Sequence, residues 1–235
     1  MFKMEFLKLV RNNIIALIFG YVLVMSIGVN SLHLFFQDVE WVQIWTPKLT
    51  IVYIIILIDL LFWMAGMQIS EDFETNMIQV MRTSRSVFQY FFSKHILLIL
   101  FVLIASFLVL LPYIASPMFV LQFLFITFLL SFLMIGSGVL ITMIVKKQSV
   151  LMIAGSVVTG FVFISLVRLL FPTWIIEPVA FNPFEYFIAA FYALYIPNGG
   201  FDTFSLLSLT ILSFGFYLFS VLLFQQLTYK KGFRL

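Results

Sequence analysis

Cysteine is absent from this sequence of 235 residues, and charged residues make up only 10% of it. Without cysteine the sequence has no disulfide, no thiolate nucleophile and no zinc–thiolate site, which excludes several classes of enzyme and metal protein. Hydrophobic residues make up 63% of the chain, whereas a soluble domain is roughly half apolar. The composition therefore predicts a membrane protein, because a soluble fold could not bury so much apolar surface.

The sequence also lacks the usual residue sets of a catalytic or nucleotide site. Its two histidines, His33 and His95, are far apart, and no pair of carboxylates lies within an apolar stretch. No Gly-x-x-x-x-Gly-Lys-Ser/Thr phosphate loop occurs. We therefore expect no enzyme activity, metal or cofactor in this chain. The net charge of +3 is explained by membrane topology, not by nucleic-acid binding.

Long stretches with few charges predict six transmembrane helices, since one span needs roughly 20 apolar residues. Residues 96–145 carry no charge and are too long for one span, so Pro112 and Pro117 are expected to divide them into a hairpin. The predicted fold is all-α, with one transmembrane domain over residues 1–235. The predicted spans are about 14–30, 49–69, 95–112, 118–145, 149–171 and 203–227.

The basic residues are distributed unevenly between the two sides of these spans. Eleven of the 13 Lys and Arg residues lie at the termini or near the loops after spans two and four, and only Lys48 and Arg168 lie on the other side. Because basic residues are retained in the cytoplasm, both termini are predicted to be cytoplasmic.

The N-terminal residues allow more than one interpretation. Phe2, Phe6 and Leu9 recur at helical spacing, which is typical of an amphipathic helix in the membrane interface. A frayed start of the first span fits the pattern equally. A signal peptide ending near Ser26-Ile27-Gly28 is a further alternative, but its removal would leave five spans and weaken the charge asymmetry.

The longest cytoplasmic loop follows the second predicted span. Acidic residues begin it, apolar residues follow, and basic residues end it, an order that complements a helix dipole. We predict a short cytosolic helix whose apolar side chains either dock on a partner or pack on the bilayer surface. Its residues are Glu71, Asp72, Glu74, Met77, Ile78, Met81, Arg82, Ser84 and Arg85.

Through Asp72-Phe73-Glu74, Ser84-Arg85 and Ser93-Lys94, this loop resembles the segment after the second span in type-2 ATP-binding-cassette (ABC) exporter permeases. Asn76-Met77 and Thr83 depart from that pattern, where Gly-Thr and a Pro or Gly are common. The resemblance implies that the loop is a coupling helix inserted into a separate cytosolic ABC ATPase. ATP and Mg would bind to that partner, and two identical or different permeases would assemble.

A second resemblance to the same family lies before the last span, at Asn182-Pro183. The following apolar stretch, Phe184 to Ile196, is too short to span a bilayer. It is predicted either to re-enter the outer leaflet, as in the family, or to anchor the loop on the membrane surface. The resemblance implies an outer gate formed by Asn182, Pro183, Phe184 and Phe187.

Polar and small residues inside the predicted spans give two further predictions. Asp59 lies in mid-span, where an acid costs roughly 2.5 to 3.5 kcal/mol to insert. It either lines the transport pathway, together with Thr159, or ties helices together through Ser156 or Thr159. Two pairs of small residues one turn apart predict close helix packing: Ala16 with Gly20, and Ser156 with Gly160.

The abundance of Phe (31) and Met (11) predicts an apolar, adaptable pathway, suited to amphipathic peptides. The chain is similar to permeases that export bacteriocins, lantibiotics and peptide toxins from the bacterial plasma membrane. Amphipathic peptides are therefore the first expected substrates, before lipid-linked glycans or drugs. An ion-coupled secondary transporter and a non-transporting membrane scaffold or immunity protein remain alternatives.

Overall fold

The computed structural model describes residues 13–36, 38–75, 87–170, 182–196 and 203–230. Within these ranges the chain is almost entirely helical and contains no strand, which confirms the all-α prediction. A 3₁₀ turn, Leu111–Tyr113, and a π-helical turn, Gln225–Lys230, supplement the α-helices. The α-helices of the described residues are α1 (Asn13–Phe35), α2 (Glu40–Glu74), α3 (Val87–Val109), α4 (Pro117–Val145), α5 (Gln148–Leu170), α6 (Pro183–Ala193) and α7 (Thr203–Phe224).

Five of the described helices, α2 to α5 and α7, are long and apolar enough to cross a membrane. The protein is therefore a multi-pass membrane protein. Helix α6 has only 11 residues and is too short to span a bilayer, as the sequence predicted. A sixth span formed by α1, which has 23 residues, stays a prediction. The predicted interfacial helix at the N-terminus lies outside the described residues.

Helix α2 differs most from its predicted bounds of 49–69. It has 35 residues and is therefore about 52 Å long, well beyond a hydrocarbon core of about 30 Å. The apolar stretch marked only its middle, because the polar residues at both ends also adopt helical conformation. Helix α3 likewise begins at Val87, eight residues before the predicted start at 95.

Two helices joined by a short turn lie where the sequence predicted a hairpin of spans three and four. Helix α3 ends at Val109, the 3₁₀ turn contains Pro112, and α4 begins at Pro117. Proline suits the first position of a helix because its missing N–H would have no partner there. At the other end of α4, Lys146 adopts the left-handed conformation (φ 53°), and α5 begins two residues later.

Helix α4 lies at the centre of the bundle and packs against both α2 and α7. Its approach to α2 requires glycine, since a Cβ atom at Gly138 would lie 2.7 Å from the carbonyl oxygen of Phe62. Gly155 on α5 is equally confined, because its Cβ would lie 2.7 Å from the rings of Phe62 and Trp63.

The small residues that the sequence predicted to pack together are different ones. A Cβ atom at Gly20 or Gly160 would meet nothing within 4 Å, and Ser156 is exposed. The prediction that these residues pack against neighbouring helices of the chain is therefore wrong for these three. The side chain of Ala16 lies outside the described part. Small residues permit close packing but do not cause it, because the larger side chains around them determine how the helices pack.

Candidate functional site

Among the described residues, a buried ion pair lies near the end of α2 and the start of α3. The carboxylate of Asp72 forms a salt bridge with Lys94, with Nζ and Oδ2 2.7 Å apart. The hydroxyl of Tyr90 donates to the same oxygen at 2.5 Å. The Lys94 and Asp72 side chains are only 3% and 6% exposed. This Asp72 cluster (Asp72, Tyr90 and Lys94) therefore joins the two helices that flank residues 76–86.

Aromatic packing connects the Asp72 cluster to α7. The ring of Phe224, at the end of α7, stacks on Tyr90 at 6.1 Å and meets Phe91 edge-on at 4.8 Å. One turn further along α3, Nδ1 of His95 lies 3.2 Å from the hydroxyl of Tyr217 on α7. These contacts hold α7 against the same end of α2 and α3. The rings of Tyr90, Phe91, His95 and Phe224 are almost fully buried.

Glu74 connects this end of the bundle to α5. Its Oε1 accepts a hydrogen bond from the backbone N–H of Gln148 at 2.9 Å. Gln148 is the first residue of α5, where N–H groups lack partners within the helix and a negative charge is favourable. The last turn of α2 thus contacts three other helices: α3 through Asp72, α5 through Glu74, and α7 through Phe73, which packs on Phe224.

The three acids expected at the start of a coupling helix lie instead in the last turn of α2, which ends at Glu74. Glu71 and Glu74 are exposed, but Asp72 is 4% exposed and paired with Lys94. The placement of these acids at a helix start, and of Asp72 on a partner-facing surface, is therefore wrong. The other predicted contact residues lie outside the described ranges: Met77, Ile78, Met81, Arg82, Ser84 and Arg85.

The spacing of the apolar residues before Asp72 predicts its burial if α2 continues past residue 69. Ile58, Phe62, Ala65 and Ile69 are spaced alternately by four and three residues, and all are buried. Asp72 follows at the next step of three. A helix that continues past residue 69 therefore turns Asp72 towards the core and Glu71 away from it.

Asp59 and Thr159 come together, as one of the two sequence interpretations predicted. The hydroxyl of Thr159 lies 3.2 Å from both carboxylate oxygens of Asp59, and the indole N–H of Trp63 donates to Thr159 at 3.2 Å. Ser156, the other predicted partner, donates to the carbonyl of Ile153 in its own helix. Asp59 is partly buried, so this contact between α2 and α5 gives the carboxylate a hydrogen-bond donor while part of the side chain stays exposed.

The residues predicted to form an outer gate fix the start of α6. Asn182 caps the helix, since its Oδ1 accepts from the N–H of Phe184 at 3.1 Å. Its Nδ2 donates to the Phe161 carbonyl at 2.9 Å and to the Ser165 hydroxyl at 2.7 Å, both on α5. Pro183 occupies the first helical turn, and Phe187 is fully buried. These residues anchor α6 firmly to the bundle.

The far end of α6 packs into an aromatic cluster beside the α3–α4 turn. Tyr195 lies 5.9 Å from the ring of Tyr113 and 5.1 Å from that of Phe119. Burial raises the pKa of both tyrosines above the usual 10.0, so both hydroxyls are neutral at physiological pH.

An apolar cavity of about 340 Å³ opens beside the start of α6, between α4, α5 and α7. Asn182 and Ser137 are its polar lining residues, and both already donate hydrogen bonds within the protein.

Comparison of the chain with family models, curated proteins and solved structures gives no match, so the family remains a prediction from its residues.

Proposed function

We propose that this protein is the membrane permease subunit of an ATP-driven ABC exporter. A separate cytosolic ATPase would bind ATP and Mg, and a second permease, identical or different, would complete the assembly. Both termini would lie in the cytoplasm of a bacterial cell. The observation that carries this proposal is the Asp72 cluster, which joins α2 and α3 at the base of residues 76–86.

The contacts around this cluster would transmit a movement of residues 76–86 to several helices. A partner that moves residues 76–86 would pull on the end of α2 and the start of α3, which the buried ion pair holds together. Glu74 and Phe224 extend the connection to α5 and α7. Movement of residues 76–86 would thereby reach four helices at once, as the proposed coupling to an ATPase requires.

Amphipathic peptides are the substrates that we propose first. The apolar cavity between α4, α5 and α7 supports a hydrophobic cargo because its lining offers few polar groups and no charged side chain. Lipid-linked glycans and hydrophobic drugs share the same chemistry and come next.

Asp59 favours a second candidate, a secondary transporter driven by an ion gradient. A partly buried carboxylate in the middle of a membrane helix is a typical site for a coupling ion or proton. The partial burial of Asp59 and its hydroxyl partner on α5 are compatible with that role. Transport driven by a proton or sodium gradient, without any ATPase, would support this candidate.

Reconstitution with a candidate ABC ATPase in lipid vesicles tests the exporter proposal. We expect the permease to bind the ATPase and to change its rate of ATP hydrolysis. The double variant Arg82→Glu/Arg85→Glu should lose this effect. The matched double reversal Lys230→Glu/Lys231→Glu, which changes the same charge elsewhere on the predicted cytoplasmic side, should keep it. Equal losses in both, or no binding to any ABC ATPase, would refute the proposal.

A further inference from the structure

At the opposite end of α2 from the Asp72 cluster, two cations share a small cavity. Lys48 on α2 and Arg168 on α5 line a pocket of about 270 Å³ together with Glu185 and Tyr192 of α6. These are the same two basic residues that the charge distribution separated from the other eleven. The fold brings both of them to one site.

The charges in this pocket are incompletely paired. Arg168 Nη1 lies 3.5 Å from Glu185 Oε2, and Lys48 lies over the ring of Trp45 at 5.2 Å. Glu185 Oε1 is buried and has no hydrogen-bond partner in the described part of the chain. Two cations against one carboxylate leave a net positive charge, while Oε1 still needs a donor.

This combination selects a ligand that carries both signs of charge. A simple anion would pair with Lys48 and Arg168 but leave Glu185 Oε1 without a donor. A simple cation would meet two like charges. A phosphate with a primary ammonium two carbons away satisfies both, because Arg and Lys bind phosphate oxygens and an ammonium donates to a carboxylate.

The position of the pocket indicates that the ligand is a lipid. Lys48 and Asp72 are 24 residues apart on one helix, or about 36 Å, which exceeds the thickness of the hydrocarbon core. The pocket therefore lies at the level of the headgroups, at the other interface from the Asp72 cluster. Leu169, Ile188 and Ala189 complete its wall and offer apolar surface to the start of the acyl chains.

We propose that this pocket binds the headgroup of a phosphatidylethanolamine-type lipid, with the phosphate between Lys48 and Arg168 and the ammonium at the carboxylate of Glu185, whose side chain is 18% exposed. This proposal does not depend on the proposed export function, because it is argued from Lys48, Arg168 and Glu185 and not from the Asp72 cluster. It gives the protein a specific lipid partner in the leaflet at that end of the bundle.

Native mass spectrometry of the full-length protein in detergent tests this proposal. Phosphatidylethanolamine, phosphatidylcholine and phosphatidylglycerol are added in turn. We expect the ethanolamine lipid to bind at least about tenfold more tightly than the other two, because only its headgroup both carries a phosphate and donates N–H groups to a carboxylate. Equal affinity for all three lipids would overturn the proposal.

Variants separate the two halves of the site. Lys48→Gln and Arg168→Gln should each weaken ethanolamine-lipid binding by about tenfold, whereas Arg168→Lys should retain most of it. Glu185→Gln should remove the preference over phosphatidylglycerol while lipid still binds. Lys147→Gln, at an exposed site outside the pocket, is the control for charge alone. If Lys48→Gln, Arg168→Gln and Glu185→Gln all bind the three lipids as the wild type does, the assignment is wrong.

A soluble competitor distinguishes the source of the headgroup. Glycerophosphoethanolamine, which has the same headgroup without acyl chains, should not displace the lipid at equal concentration. If it does, the pocket binds a free solute and the lipid assignment is wrong. Displacement by an amphipathic peptide that binds more tightly than the lipid would likewise overturn it, in favour of a substrate site.

Discussion

At the scale of single residues, the ion pair between Asp72 and Lys94 makes the clearest prediction about stability. Lys94→Met leaves the Asp72 carboxylate buried without its cation, which typically costs about 3 to 5 kcal/mol. The double variant Asp72→Asn/Lys94→Met removes both charges at similar volume and should recover most of that loss. Thermal unfolding in detergent measures both variants. Losses that simply add in the double variant would show that the pair is not coupled.

The sequence identified both members of this pair but not their pairing. Asp72 and Lys94 each belong to the pattern that resembles exporter permeases. A pattern along the sequence does not say which residues meet when two antiparallel helices pack together. Tyr90 had no signal of its own, since a tyrosine near a membrane interface is common. Two charged residues that are neighbours in the sequence can thus differ in burial, since Glu71 is exposed and Asp72 is buried.

Asp59 gives a prediction about transport at the same scale. Asp59→Asn keeps an oxygen for the Thr159 hydroxyl but removes the charge, so the contact between α2 and α5 should persist and the protein should remain folded. If Asp59 lines the pathway, export of an amphipathic peptide from vesicles should fall several-fold. Thr159→Val, which removes the hydroxyl and keeps the charge, is the matched variant. Normal export in Asp59→Asn would limit this residue to a structural role.

At the scale of helices, the contact between α2 and α4 depends on glycine. Gly138→Ala places a methyl group 2.7 Å from the Phe62 carbonyl oxygen, and two helix backbones must separate to admit it. We expect a loss of about 1 to 3 kcal/mol, typical of overpacking. Gly160→Ala, whose Cβ would meet nothing within 4 Å, should be neutral or slightly stabilising because alanine favours helix. Equal effects on unfolding would contradict this assignment.

Helix positions could be predicted from the sequence better than helix ends and contacts. The hairpin at Pro112 and Pro117 followed from length and from proline chemistry, and the short α6 followed from an apolar stretch that is too short to span. The full length of α2, 35 residues, could not be predicted in this way. Hydropathy identifies the residues within the hydrocarbon core but not helical residues that continue into the headgroup region. Contacts such as Gly138 with Phe62 depend on the relative rotation of two helices, which uniformly apolar sequences leave undetermined.

At the scale of the whole molecule, α2 connects two polar sites at opposite faces of the membrane. The Asp72 cluster lies near the end of α2. The pocket lined by Lys48, Arg168 and Glu185, called the Lys48 pocket below, lies near the beginning of α2. Both sites include residues of α2. Helix α5 contributes Arg168 to the pocket, and at its other end the N–H of Gln148 donates to Glu74, two residues from Asp72. The orientation of the protein in the membrane therefore determines the role of both sites. A cytosolic ATPase can reach only residues on the cytoplasmic side, and with the Asp72 cluster on that side the lipid would come from the outer leaflet.

This orientation can be measured directly because the sequence has no native cysteine. Ser116→Cys and Lys147→Cys place single thiols at exposed positions beside the two ends of α4, whose 29 residues span about 43 Å. In intact cells a membrane-impermeant maleimide should label Ser116→Cys, and it should label Lys147→Cys only after permeabilisation. The reverse result would put residues 76–86 outside the cell, where no cytosolic ATPase can reach them, and would move the Lys48 pocket to the inner leaflet.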